Sequence, residues 1–254
     1  VVLIVILAVT GVISASRLSG IVVAITLAAA IALFAIMLTS KSIDTVERHR
    51  VQSFIPMFIA SAIFWSLFQQ QFTVVALYAD QRLDRTILGW TMSPAWVQSI
   101  NPIFIIIFAG IFGTMWTKLG PRQPSTPIKF ALGTIVMGIA FLLFLPYANG
   151  APNSTPLLWI VLILFCFTIA ELCLSPVGQS LSTKLAPKAF HTQMIALFFL
   201  SVAVGTAGAG ALARFYDPTN EVPYFAFLGA ASIVVGLALV VSRKAISRLM
   251  EGVR

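Results

Sequence analysis

The sequence predicts an all-α membrane protein, and three observations predict it. The first is composition. Hydrophobic residues make up 59% of the chain and charged residues 9%, with a mean hydropathy of +0.99, where a soluble domain carries about 25% charged residues. The second is segment length. Apolar runs recur at roughly the 20 residues a helix needs to span a bilayer, too long and without the period of two that membrane strands require. The third is charge placement, because basic residues gather on alternate connections between the runs.

Eight runs are helix candidates: residues 1–16, 20–40, 51–79, 94–117, 127–147, 156–184, 190–215 and 222–242. The first is short, and Val1 opens inside an apolar run without an initiator Met, which predicts a piece of a longer polypeptide. One set of connections holds Lys41, Arg48, Arg50, Lys118, Arg122, Lys129, Lys184, Lys188, Arg243, Lys244, Arg248 and Arg254. The other set holds Arg17, Arg82, Arg85 and Arg214. The positive-inside rule places the richer set in the cytoplasm, so both chain ends are predicted cytoplasmic in a plasma (inner) membrane. Trp90, Trp96 and Trp159 then fall at outer segment ends and Trp116 at an inner end, as an interfacial aromatic belt requires, whereas Trp65 lies at mid-membrane.

The net charge of +8 is accounted for by topology, so no nucleic-acid partner is implied. Cys166 and Cys173 lie seven residues apart on one predicted helix, about 10 Å by helical rise and too far for a disulfide. His49 and His191 stand at segment edges without partners at ligand spacing, so no metal site is expected. No nucleophile–base pair suggests an enzyme. Gly133, Gly138, Gly205, Gly208 and Gly210 read as close helix packing, with hinges as the other reading.

Of the eight acidic residues, Glu171 alone lies well inside an apolar run, while Asp80, Glu221 and the others fall in loops or at segment ends. A carboxylate at that depth costs roughly 2.5–3.5 kcal/mol or more on insertion scales. No Lys or Arg lies inside any run, so its partner is expected to be a proton, a cationic ligand or a basic group from another part of the protein. Ser175 is one turn further along the same face, and Pro176 leaves the carbonyl of Leu172 without its helical donor. A bend or opening of the helix is expected there. Gln98 and Asn101 share a face ahead of Pro102, and the run 51–79 carries Trp65, Gln69, Gln70 and Gln71. The glutamines read either as ligand contacts or as hydrogen bonds between helices, and Trp65 either as a pocket wall or as core. Asp80 reads as a solvated end charge or as a gate partner of Arg82 or Arg85.

These residues carry a resemblance. ELCLSPVG at residues 171–178 with TKLAP at 183–187, QSINPIFII at 98–106, PIKFALG at 127–133 and FWSLFQQQ at 64–71 resemble the tenth, eighth, ninth and seventh helices of the proton-dependent oligopeptide transporter family, within the major facilitator superfamily. The similarity covers about residues 46–217. It implies the six-helix C-terminal half of a major facilitator superfamily transporter at residues 46–254, preceded at residues 1–45 by two extra membrane helices joining the two halves. The implied activity is proton-coupled symport of di- and tripeptides by alternating access, with the lipid bilayer, protons, the peptide and a missing N-terminal six-helix half as partners. No cofactor is implied beyond the proton gradient.

The resemblance places Glu171 at the peptide amino terminus, makes it the candidate for proton coupling, and puts Asn101 and Trp65 in the pocket. Gln69, Ser175 and Phe198 complete the implied binding set, and Pro102 and Pro176 are the candidate hinges. Two positions depart from the pattern. Gln69 stands where the family commonly has a titratable glutamate, within a pattern like FWxxFEQ, and Phe198 where it often has a tryptophan. Rival readings are a family relative carrying nitrate or a modified peptide, and a membrane binding protein that does not transport.

Overall fold

The computed structural model describes residues 15–87 and 89–253, with side chains from Leu18 onward. Residues 1–14 of the first predicted run, the side chain of Arg17 and Arg254 lie outside the described residues. The elements are α1 (Ala15–Thr39), α2 (Thr45–Phe68), α3 (Val74–Arg82), β1 (Thr86–Ile87), β2 (Trp90–Thr91), α4 (Pro94–Leu119), α5 (Thr126–Leu142), α6 (Leu157–Lys184), α7 (His191–Leu212) and α8 (Val222–Leu249). Among the described residues, seven stretches are helical, long and apolar enough to cross a membrane: α1, α2 with α3 as one interrupted span, and α4 to α8. The protein is therefore an all-α membrane protein with six spans following α1.

Local chemistry sets the helix ends. Asp44 and Glu47 form a reciprocal cap at the start of α2: Glu47 N–H donates to Asp44 Oδ1 (2.7 Å) and Asp44 N–H to Glu47 Oε2 (3.3 Å). This draws the charged Glu47–Arg50 turn into the helix, six residues ahead of the predicted start. Pro94, Pro127 and Pro223 sit in the first turns of α4, α5 and α8, where a missing N–H leaves no helical bond unmade. The last span runs to Leu249 and not to residue 242, so Arg243, Lys244 and Arg248 lie on its final helical turns.

The span at residues 51–79 is interrupted. After Phe68 the chain tightens into a 3₁₀ turn at Gln69–Phe72, and Thr73 takes φ −125° and ψ −93° before α3 resumes. Glutamine and threonine side chains take over the backbone's polar work here: Gln70 Nε2 donates to Ala209 O (3.1 Å) and Thr73 Oγ1 to Gln70 Oε1 (2.9 Å). A two-residue hairpin follows, with Thr86 opposite Thr91 and Ile87 opposite Trp90.

The core lies where α2, α5, α6 and α8 meet. Phe144 stacks on Phe225 with centroids 4.4 Å apart, Phe141 stacks on Phe167, and Tyr78 meets Phe144 and Phe225 edge-on. Glycines let the backbones approach. A Cβ on Gly138 would lie 2.6 Å from Gly229 O, one on Gly133 2.8 Å from Ala170 O, and one on Gly205 2.5 Å from Trp65 Cβ. The packing reading of these glycines therefore has direct contacts behind it. α1 packs on α7 and, more lightly, on α2; Ala30 and Met37 face inward, while Ile25, Ile31 and Ile36 face outward.

Glu221 stands at the segment end where the sequence puts it, yet it is fully buried there, at the start of α8. Its Oε1 accepts from Arg82 Nε (3.3 Å) and from Tyr216 Oη (2.7 Å), and its Oε2 accepts from Asn149 N (2.8 Å). Arg82 also donates to Gly150 O and Pro218 O. Asp80 pairs with Arg85 (3.4 Å), one of the two arginines expected as its partner. The partners of Arg82 lie more than 60 residues away in sequence, where local reading has no signal for them. At the opposite end His49 Nδ1 meets Glu251 Oε1 (2.8 Å).

Candidate functional site

α6 carries the principal polar group. Glu171 is half-buried and opens on a cavity of about 1060 Å³, shared with Ser175 and Pro176 one turn on and with Gln179, Ser180 and Lys184 beyond them. The i, i+4 spacing read from sequence thus puts Glu171 and Ser175 on one wall. Facing them are Phe112, Gly113 and Trp116 of α4 and the first turn of α5. Glu171 Oε2 is buried without a hydrogen-bond partner. Such a group is costly unless a proton or a ligand satisfies it.

α6 remains one helix through Pro176, so the expected opening is absent and the proline costs only the bond to Leu172 O. α4 is likewise continuous through Pro102.

Asn101 is buried on α4. Its Nδ2 donates to Thr168 Oγ1 on α6 (3.0 Å). Thr168 is a residue the sequence reading passed over. It lies three positions before Glu171, on the same face, but threonine in a membrane helix commonly bonds only to its own preceding turn.

The remaining candidates lie apart from this cavity wall. Trp65 packs edge-on against Phe64 and Phe68, and Phe68 reaches Phe167 of α6; the indole Nε1 is buried without a partner. Gln69 Nε2 donates to Thr206 Oγ1 on α7 (3.1 Å), and Gln70 bonds to α7 as described. Both thus make the interhelical bonds that were one of their two readings. Phe198 is buried on α7, with its ring against Gly178 of α6, where a Cβ would lie 2.6 Å from it. A tryptophan at Phe198 would need α6 or α7 to move outward.

A further correction concerns charge. Lys129, taken from sequence as a loop residue, is buried in the first turn of α5 and lines the same cavity as Glu171. Its ammonium lies 4.4 Å from the Trp116 ring centroid and donates to Gln123 Oε1. The cavity therefore contains basic groups of this chain, yet among the described residues the ion pairs are His49–Glu251, Arg82–Glu221 and Arg85–Asp80, and Glu171 is in none of them. The signal in the sequence was Trp116 with Lys129, an aromatic and a cation flanking one short turn.

A membrane bundle with the Glu171 carboxyl and the Ser175 hydroxyl on one cavity wall has counterparts among known proteins. The model of the POT family matches residues 13–233, and the chain belongs to that family, a family of transporters and not of enzymes. It is 39% identical over 227 residues to a di-/tripeptide transporter of Lactococcus lactis subsp. cremoris, covering 87% of this chain and 46% of that protein. It is 40% identical over 245 residues to an uncharacterized transporter of Bacillus subtilis (strain 168), covering 96% and 50%. Among solved structures it matches a mutant of peptide transporter POT in complex with alafosfalin at TM-score 0.90 and 43% identity, covering 99% of this chain and 52% of that one. A POT family transporter in complex with 5-aminolevulinic acid matches at TM-score 0.87 and 36% identity, covering 96% and 51%. The chain spans about half the length of the relatives it matches.

Proposed function

We propose that this chain is the C-terminal half of a proton-coupled di-/tripeptide symporter working by alternating access. In this reading residues 46–254 form the six-helix half and residues 1–45 the accessory helices that join it to an N-terminal half. The observation that carries the reading is the Glu171 carboxyl, set on a membrane helix beside a cavity of about 1060 Å³ with Oε2 unpartnered. A peptide ammonium supplies the missing donor and countercharge in a charge-assisted bond; in its absence a proton does. Exchange between those two occupants couples peptide to proton, and Gln69, which cannot titrate, takes no proton in the cycle.

Asn101 and Ser175 offer polar contacts around the ammonium, while Trp65 and Phe198 form apolar walls that the opposing half completes. Pro102 and Pro176 leave α4 and α6 each one backbone bond short, which eases their bending. The cavity extends to the end holding Lys184, Gly120 and Ser247, the end with more basic residues, which the positive-inside rule puts at the cytoplasmic face of an inner membrane. The di-/tripeptide transporters among the relatives support this substrate class.

A second reading is favoured by one observation. Lys129 and Lys184 line the cavity with Glu171, and solved relatives hold alafosfalin and 5-aminolevulinic acid, so a modified peptide or small amino acid is the alternative cargo. The test is uptake of labelled dialanine into liposomes holding the full-length protein, with and without an inward proton gradient, beside Glu171→Gln. Gradient-driven accumulation lost in Glu171→Gln is the expected result. No accumulation by the folded unmodified protein overturns peptide symport, and competition against 5-aminolevulinic acid then tests the alternative.

A further inference from the structure

The residues that follow α8 stay on the bundle. Met250 is 2% exposed, and Val253 packs against the core. Val253 N–H donates to Met250 O (3.1 Å). The two residues between them take φ +48° at Glu251 and φ +81° at Gly252, the pattern of a type I′ turn. Ending a helix takes one such residue, commonly a glycine. Here two stand in succession, and the first bears a side chain that disfavours the conformation. A residue strained in this way persists where its surroundings hold it.

Two contacts hold Glu251. Its Oε1 meets His49 Nδ1 (2.8 Å), and its carbonyl oxygen accepts from Arg50 Nη2 (3.4 Å), both on the first two turns of α2. The neighbours of Glu251 turn the other way: Met250, Gly252 and Val253 line the cavity, with Ser247, and Glu251 does not. They line it together with Lys184, which lies about 20 Å along α6 from Glu171 by helical rise. The turn thus reaches from α2 to the inner end of the cavity, tied on one side and facing open space on the other, where a Cβ on Gly252 would meet nothing within 4 Å. The tie is light. The His49 and Glu251 side chains are 39% and 37% exposed, and an exposed pair shifts an equilibrium by about fivefold at most.

We propose that Met250–Val253 is a strap across the inner end of the cavity, latched to α2 by Glu251 on His49 and Arg50, and that it swings aside when the cavity empties. The strap and its latch are defined without a cargo; only its part in release rests on the transport reading.

The experiment uses the full-length protein with Ser175→Cys as a reporter deep in the cavity, reacted with a membrane-impermeant maleimide from the cytoplasmic side of inside-out vesicles. His49→Ala, Glu251→Ala and the two together undo the latch. Gly252→Val undoes the turn, because valine disfavours a positive φ. Each latch variant is expected to label the reporter about twofold to fivefold faster. The double variant is expected to be no faster than the faster single one, because one interaction is lost once, and Gly252→Val at least as fast. Cys173, buried on α6 and absent from the cavity wall, reports general loosening and is expected to stay unreactive throughout. A second measurement closes the strap: His49→Cys with Glu251→Cys, joined by a cleavable bifunctional thiol reagent, is expected to stop dialanine uptake until the linker is cut.

Reporter labelling unchanged in the latch variants, or faster only together with Cys173, overturns the proposal. So does uptake that continues through the closed linker. If the unmodified protein moves no dialanine, the transport reading fails while the labelling rates still decide the strap. Gly252→Ala replaces the valine variant if that one is not monodisperse.

Discussion

Replacing Glu221 with glutamine tests the charge cluster at the start of α8. The carboxylate accepts from three donors: Arg82 Nε and Tyr216 Oη on Oε1, and Asn149 N on Oε2. Burial and the neighbouring carboxylate push the Tyr216 phenol well above its usual range, so it stays a donor. An amide has one acceptor oxygen and one NH2. Whichever way it sits, the NH2 faces a donor: either Asn149 N, or Arg82 and Tyr216 together. Glu221 is 0% exposed and the Arg82 side chain 15%, so water cannot repair the mismatch. Removing one partner of a buried ion pair costs about 3–5 kcal/mol. The expected result is a melting temperature several degrees lower for Glu221→Gln in detergent. A double change, Arg82→Met with Glu221→Gln, is expected to recover part of that loss, since the uncompensated guanidinium leaves while the amide can accept from Asn149 N and donate to the Tyr216 hydroxyl. The reasoning is refuted if Glu221→Gln melts within one degree of the unmodified protein, or if the double variant is worse than the single one.

Gly138→Ala is expected to destabilise the α5–α8 contact by about 1–3 kcal/mol, because the new methyl meets Gly229 O and Ile233 Cγ1 at 2.6 and 2.7 Å; thermal melting checks this, and Gly113→Ala, with nothing within 4 Å, is the control expected to melt unchanged. Asp217 lies outside the membrane-spanning segments, and hydrogen bonds from Thr219 Oγ1 and N–H hold its carboxyl below the ordinary value of 3.8. A lowered folded-state pKa contributes stability above the unfolded pKa and loses it as pH falls through the folded one, so the loop is expected to loosen only below about pH 4. Thr219→Val is expected to raise the Asp217 titration midpoint, read by carboxyl NMR shifts, and an unmoved midpoint would contradict the assignment.

The bundle was legible because a membrane helix announces itself by length and by the charges at its ends. The runs at 94–117, 156–184 and 222–242 begin within a residue of α4, α6 and α8. The interruption at Gln69–Phe72 was hidden because neither Pro nor Gly marks it; it is stabilised by glutamine side chains finding acceptors on another helix. Glu171 and Ser175 share the cavity wall that their four-residue spacing implied. Lys129 was misplaced because its charge suggested water, whereas the Trp116 face and Gln123 receive it three residues inside the helix boundary. The burial of Glu221 was hidden for a related reason: burial of a charge depends on partners distant in sequence, and periodicity is blind to them. The bond between Asn101 and Thr168 was hidden because it joins two helices at positions 67 residues apart in sequence.

The interruption between α2 and α3 divides one membrane crossing between two neighbours. Below it, α2 is fastened to α7 by Ser61 with Ser201 (2.7 Å), and the first residue of the interruption, Gln69, is held there by Thr206 (3.1 Å). Above it, α3 ends in Arg82, whose guanidinium grips Glu221, Gly150 and Pro218. The lower segment thus shares its fate with α7, and the upper one with the connections ahead of α6 and α8. Tilting α7 would carry α2 along and leave α3 behind, with the strain falling on the four residues Gln69–Phe72 and on Thr73. What looks in sequence like one rod through the bilayer works as two short ones in series, jointed by side-chain amides.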